Sequence, residues 1–303
     1  KQALMERLEA IRKPTAIVSS NTSGIPIGQI AAGRSSEFKA HFLGTHFFNP
    51  PRYLKLLEII PTDDTAKDVT DFMKQFGSEV LGKGVVVCKD TPNFIGNRFF
   101  AVASSYGLEH ALQNGYSIAE VDAITGPTIG RPKTATYRLL DLVGLDVMAH
   151  VNNNLYDAVP HDAYREMLRP EKTSVLMTAM LEKKWLGNKV GQGFYKQERV
   201  NGAREFWTLN PQTMEYEPSP KVRFDSVGAV RNIGDLGERV RKLLTFDDRA
   251  ANYIRDLLYF GFAYAAYVAP EIAYKLSDVD DAMRWGFRDE AGPFEMWARA
   301  GVA

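Results

Sequence analysis

Two residues twelve positions apart could together move a proton. His46 lies in GTHFFNPPRYLKLLEII (residues 44 to 60) among aromatic side chains, and Glu58 sits in the apolar run LLEII. A carboxylate bonded to one imidazole nitrogen fixes the tautomer and stabilises the imidazolium once the other nitrogen takes a proton, so the pair has the makings of a general base. Taken singly, each has a plainer reading. A lone histidine among aromatics is more often a satisfied core residue, and a glutamate in an alternating strand can face solvent. Two further stretches offer polar groups. SSNTS (residues 19 to 23) ends in Ser23, whose hydroxyl could hold a substrate oxygen or cap the next turn. KDTPNFIGNR (residues 89 to 98) sets a proline-bounded turn before Asn97 and Arg98, and Asn97 reads as a helix cap or as an amide donor to a ligand.

These groups need a rigid frame. TAIVSSNTS is a short β-branched run ending in small polar residues, the pattern of a parallel strand whose carboxyl end feeds a loop, where open α/β sheets bind ligands. KAHFLGTHFFN, LKLLEIIPT and KGVVVCKD read as three more strands, and DDTAKDVTDFMKQFGSEVLG as a helix opened by acidic and threonine caps. KQALMERLEAIRKP, at the start, has helical spacing and resembles a helix entered midway. Residues 1 to 90 are therefore expected to form half of an α/β sheet.

From Pro92 the period turns helical. NRFFAVASSYGLEHALQNG is followed by the serine-capped SIAEVDAIT, and a first helical domain is expected over residues 91 to 197. Residues 198 to 228 are polar and proline-punctuated, the pattern of a linker or small hairpin. Residues 229 to 303 are helical again and repeat the first helical domain: Val121-Asp122 matches Val279-Asp280, and Val143-Gly144 falls near Ala300-Gly301. A period of about 157 residues is too long for a solenoid and reads as duplication of a whole domain. Only the first copy is expected to meet the sheet at His46, with the second packing on the first.

Composition removes several function classes. The chain has 303 residues, 45% of them hydrophobic, with 37 basic against 37 acidic side chains. No net field draws it toward nucleic acid or membrane. Cys88 is the only cysteine, which excludes an intrachain disulfide and a cysteine zinc cluster and favours a reducing cytoplasm. The apolar stretch LLYFGFAYAAYVAP reads as a core helix, being shorter than the roughly 20 residues of a membrane span.

In order and spacing, SNTS, GTHFFNP, LEII with a following threonine, KDTPNFIGNR and NKVGQGFYK (residues 188 to 196) resemble the 3-hydroxyacyl-CoA dehydrogenase family over nearly the whole chain. ITGPTIGRPKTATYRLLDLVGLD and the tandem helical segments resemble its long bacterial members, in which an enoyl-CoA hydratase domain follows the dehydrogenase. The resemblance implies the C-terminal half of a Rossmann-like NAD-binding domain followed by two related helical domains. It implies NAD-dependent oxidation of a 3-hydroxyacyl-CoA in fatty acid β-oxidation, with NAD as cofactor and no metal, and it is compatible with a homo-oligomer. By the same resemblance His46 is the base and Glu58 orients it. Ser23 and Asn97 bind the reacting oxygens, and Lys1, Ser23 and Lys189 touch the cofactor.

Three departures accompany the resemblance. The family's glycine-rich phosphate loop and its acidic ribose partner do not occur in the chain, so an internal fragment with weakened NAD binding is expected. Asn93 stands where the family's TPGFI turn has glycine, a tolerable change because asparagine enters left-handed conformations readily. TATYRLLDLVG replaces the usual GPFELLDYVG in the first copy, whereas the second keeps AGPFEMWARAG. The rival readings are another β-hydroxyacid dehydrogenase and a dehydrogenase-like scaffold or fragment without turnover.

Overall fold

The computed structural model describes residues 1–302. Helix α1 (Gln2–Ile11) precedes β1 (Val18–Ser20), and two short helices, α2 (Ile27–Ile30) and α3 (Ser36–Ala40), lead to β2 (Phe42–Phe47) and β3 (Leu56–Pro61). Helix α4 (Lys67–Gln75) runs into a π-turn at Phe76–Val80 before β4 (Gly84–Val87). The helical region holds α5 (Gly96–Gln113), α6 (Ile118–Ile124), α7 (Tyr137–Val143), α8 (Leu145–Ala158) and α9 (Glu171–Glu182). Strands β5 (Tyr195–Val200), β6 (Ala203–Asn210) and β7 (Glu215–Pro218) follow. The remainder is α10 (Asp225–Val230), α11 (Leu236–Leu243), α12 (Arg249–Ile272), α13 (Leu276–Gly286) and α14 (Pro293–Ala300). Two compact units result: residues 1–99 with 265–294, and residues 100–264 with the segment from Glu295 onward. No helix among the described residues is long and apolar enough to cross a membrane.

In the first unit the strands lie in the order β1-β2-β3-β4, with β1/β2 and β3/β4 parallel and β2/β3 antiparallel. The two-residue period divides β3. Leu57 and Ile59 join Leu43 and the α4 residue Val69 in one buried cluster, while Leu56, Glu58 and Ile60 point to the opposite face and are equally buried. Burial on both faces explains why LLEII reads as a nearly continuous apolar run. On that opposite face α13 packs against β3 and β4, burying Val279, Ala282, Met283 and Gly286 at helical spacing. Gly84 of β4 is needed there, because an added Cβ would come within 2.3 Å of the Trp285 indole. The expectation that only the first helical segment meets the sheet at His46 is overturned, because α13 lies on β3 and β4 and Phe287 at its end stands against Phe48, the ring beside His46. Its physical reason is the apolar stripe of α13, which the sheet buries.

The turn between β4 and α5 is strained. Asn93 and Phe94 both adopt left-handed backbone, at φ 63° and 52°, and both side chains are buried. Asparagine at 93 meets the demand that the sequence implied; phenylalanine at 94 carries the second left-handed residue with no such ease.

In the second unit α6 opens with the expected serine cap, a capping box between Ser117 and Glu120. Asp122 then accepts hydrogen bonds from the backbone N–H groups of Thr136 (3.0 Å), Tyr137 (2.7 Å) and Arg138 (3.1 Å), at the start of α7. In the first unit Asp280 accepts from Phe294 N–H (2.8 Å) at the start of α14. Each of the two residues matched in sequence thus accepts at the start of the next α-helix. The stretch read as linker or hairpin carries a three-stranded antiparallel sheet, β5-β6-β7. Its inner end is anchored by Asp141, which accepts from Phe194 N–H (2.8 Å) and Tyr195 N–H (2.9 Å). Gly193 leaves room for that carboxylate, since a Cβ would lie 2.0 Å from its Oδ1.

Two outcomes follow from this packing. Asn93→Ala should be less stable to urea than Asn93→Gly by about 1 kcal/mol, because both lack the amide and only alanine has a Cβ to strain in a left-handed backbone; alanine matching or exceeding glycine would mean the turn does not need that conformation. Burial pushes the Asp141 carboxyl up to about 6, with the two backbone N–H groups pulling the other way. The unfolded chain titrates it near the usual aspartate value of about 4. Between those values the native state holds a proton that the unfolded state has released. This stabilisation is complete below about pH 4 and lost as pH rises through about 6, a swing on the order of 3 kcal/mol. Asp141→Asn cannot titrate, so its thermal midpoint should vary less between pH 4 and 7 than that of the parent, and an identical pH dependence would refute the assignment.

Candidate functional site

His46 and Glu58 are direct cross-strand partners in the antiparallel pairing of β2 with β3. Facing residues project from the same side of the sheet, so the twelve-residue spacing brings the two side chains together. His46 Nδ1 lies 2.6 Å from Glu58 Oε2. On its other side His46 Nε2 lies 2.9 Å from the Ser23 hydroxyl, which arrives from the loop after β1. Ser23, His46 and Glu58 therefore form one continuous hydrogen-bonded row.

Glu58 is completely buried, and His46 is 4% exposed. An unpaired carboxylate in such a place would cost several kcal/mol, so its remaining oxygen needs donors. They come from the start of α5: Glu58 Oε1 accepts from Ile95 N–H (3.1 Å) and Gly96 N–H (2.8 Å). These are amides that a helix N-terminus leaves without intrahelical partners, and the helix dipole favours an anion there. The strained turn at Asn93 and Phe94 aims them inward. It also sets the Phe94 ring 5.5 Å from the imidazole, while Phe48 stands edge-on at 4.7 Å. Phe287, at the end of α13, lies 5.7 Å from Phe48. A base with one nitrogen clamped, the other facing a hydroxyl, and aromatic walls around it can take a proton from an alcohol inside a largely dry setting.

The two readings of SSNTS divide between its residues. Ser19 and Asn21 are structural: the Ser19 hydroxyl accepts from Thr45 (2.9 Å) and Asn21 Oδ1 accepts from Phe47 N–H (2.9 Å), extending the β1/β2 ladder. Ser23 alone turns to the histidine.

The other candidates are placed less tightly. Asn97 is half-buried, one residue beyond the Gly96 amide that holds Glu58, and its side chain has no hydrogen-bond partner among the described residues. Lys1 is exposed at the start of α1, where its carbonyl accepts from Leu4 and Met5. Lys189 belongs to the second unit and is paired with Asp146. That unit also holds a cleft of about 620 Å³ between Leu112, Lys172, Val175, Asn210 and Met214, which none of the candidate residues lines. No group of three His, Cys, Asp or Glu among the described residues is placed to hold a metal ion.

Sequence reasoning missed the amide clamp and the aromatic walls. The only local signal for the clamp was a buried acid paired with a nearby helix start, and Phe287 lies too far along the chain to carry any.

Residues 1–91 match the family model described as 3-hydroxyacyl-CoA dehydrogenase, NAD binding domain, and residues 94–197 match the C-terminal domain of the same family. A Bacillus subtilis protein named probable 3-hydroxyacyl-CoA dehydrogenase is 46% identical over all of this chain, which spans 37% of that protein. A Rickettsia felis protein named putative fatty acid oxidation complex trifunctional enzyme is 30% identical over 98% of the chain, which spans 39% of it. The chain thus covers less than half the length of either relative. The crystal structure of 3-hydroxybutyryl-CoA dehydrogenase from Escherichia coli shares the fold, with a TM-score of 0.69 over 98% of this chain and 71% of that one at 21% identity. With the two domain models of one family matching residues 1–91 and 94–197, the chain belongs to the 3-hydroxyacyl-CoA dehydrogenase family.

Proposed function

We propose that the chain contributes the oxidation of a 3-hydroxyacyl-CoA to the 3-ketoacyl-CoA. The observation that supports this most is the Ser23–His46–Glu58 row, whose acid end is clamped and whose serine end faces the loop after β1. In this reading His46 removes the C3 hydroxyl proton at Nε2, where the Ser23 hydroxyl now sits. Glu58 keeps Nδ1 protonated and stabilises the imidazolium as it forms. Ser23 and the Asn97 amide hold the substrate oxygens.

NAD is the proposed cofactor; when bound, it accepts the hydride from C3. The donors after β1 suit the nicotinamide end, with Ser23 as the near contact; Lys1 and Lys189 remain cofactor contacts only by the family resemblance. The pyrophosphate has no comparable cradle among these residues. The helix that follows β1, α2, already has its first amides bonded to Asp90, at 2.6 Å from Ile27 N–H and 2.7 Å from Gly28 N–H. The division into a partial dinucleotide-binding domain (1–90), two helical domains (91–197 and 229–303) and a connecting segment belongs to the same proposal. So do an enoyl-CoA hydratase domain as working partner, a homo-oligomer and a cytoplasmic setting, the last supported by Cys88 as a lone buried thiol.

The reading is tested by following NADH formation with 3-hydroxyacyl-CoA substrates. His46→Gln should lower kcat by about a hundredfold to ten-thousandfold with KM little changed, because a general base acts in the transition state; retention of more than a tenth of parent turnover would remove His46 from the chemistry. Glu58→Gln should lower kcat by at least about a hundredfold. If the amide oxygen keeps the Ile95 and Gly96 donors, its NH2 faces Nδ1 and drives the imidazole to the tautomer that cannot accept a proton at Nε2. A rate within a few fold of the parent would return Glu58 to a purely structural role.

A further inference from the structure

The turn that carries the Glu58 clamp is tied at both ends to one short stretch of α12, from Arg98 across 173 residues and from Lys89 across 181. At its entry, Lys89 N–H donates to Ile272 O (3.1 Å) and Lys89 Nζ donates to Pro270 O (2.7 Å). These are carbonyls of the last turn of α12, which have no partner within the helix, and a cation there meets the negative end of its dipole. Next to it Cys88 forms a β-bridge with Ala273. At the exit, Arg98 is fully buried and sets its guanidinium beside Glu271, with Nη1–Oε1 at 3.3 Å and Nη2–Oε2 at 3.4 Å. Between these ties lie the two left-handed residues Asn93 and Phe94, and the Ile95 and Gly96 amides on Glu58.

The strain shows why such ties matter. Consecutive left-handed non-glycine residues persist only where their surroundings over-determine them. The sheet fixes Glu58 on β3, but nothing in the sheet fixes the angle at which α5 presents its first amides. Arg98 lies within the first turn of α5, so its ion pair with Glu271, with one hydrogen bond from Nη2 to Oε2 and an ionic contact at Nη1, restrains that turn.

We propose that Glu271 is a positioning residue for the candidate active site: by its ion pair with Arg98 it holds the start of α5 in the placement that keeps the Ile95 and Gly96 amides on Glu58. The second helical copy then does more than pack, because its α12 supplies the brace for the base's carboxylate. The catalytic consequence rests on the dehydrogenase reading above; the effect on the clamp does not.

The test compares Glu271→Gln, Glu271→Asp and the parent by amide hydrogen exchange, thermal unfolding and steady-state kinetics. In Glu271→Gln, exchange at Ile95 and Gly96 should quicken at least about tenfold while the β2 and β3 amides keep their protection. Turnover should fall about tenfold with KM within about twofold, as for loss of a transition-state interaction. Glu271→Asp keeps the charge and should recover a clear part of both effects. Unchanged exchange at Ile95 and Gly96 would overturn the proposal. So would an equal rise across the sheet accompanied by a lower thermal midpoint, the mark of a merely structural role, and so would faster local exchange with unaltered turnover. Because exchange is read without substrate, a parent chain that forms no NADH would count against the proposed function while leaving the clamp to be judged on exchange alone.

Discussion

A carboxylate shut away from water governs this site. Glu58 occupies the centre of a strand buried on both faces, a position that an ionised group can hold only with donors on its oxygens. One donor comes from the facing strand and two from a helix start. The first fixes the register of β2 on β3: a slip of one residue would send Glu58 to the α4 face, among Leu43, Leu57 and Val69, and leave His46 Nδ1 without its carboxylate. Register and proton chemistry are therefore one constraint, since the pairing that buries the apolar residues correctly also builds the base.

The second set of donors explains the strained turn. Two left-handed residues cost on the order of 1–3 kcal/mol each, and an anion at a helix N-terminus returns about 0.3–2 kcal/mol. The anion alone does not offset the strain. Burial of the Phe94 ring, worth about 1.5–3 kcal/mol, closes most of the gap, and the contacts of Lys89 and Arg98 with α12 act on the same segment. Strain here is held by neighbours on every side, which suits a group that must stay put while a proton moves beside it.

What the sequence revealed and what it hid divide by range. The four strands, the serine cap at 117 and the histidine-glutamate pair were legible because each rests on a local period or on a facing register within a few tens of residues. Asp122 and Asp280, matched in the sequence, each accept from a backbone N–H at the start of the next α-helix. The Ile95 and Gly96 amides were not legible, since a backbone N–H has no letter of its own. The β5-β6-β7 sheet was only half visible: β6 sets two charged residues before two aromatic ones in REFWTL, without the apolar/polar alternation of a half-buried strand, and leaves Ala203 to Phe206 exposed. The seat of α13 on the sheet was invisible, because an apolar stripe announces that a helix face is buried without saying against what.

That last point bears on what separates the two helical segments matched in the sequence. The first has Asp141 where the second, counted from the shared glycine at 144 and 301, has Ala298. Asp141 binds the backbone of Phe194 and Tyr195 and so commits the first copy to its own downstream strand. A buried charge fixes one partner, because any other arrangement leaves it unpaired. The second copy, with alanine there, is under no such commitment. Its α13 instead offers Val279, Ala282, Met283 and Gly286, a surface whose demand is only to be covered, and β3 and β4 cover it. Apolar docking tolerates a change of partner better than a buried ion does. The copy free of the internal carboxylate anchor is accordingly the one whose helix lies against the strand that carries Glu58.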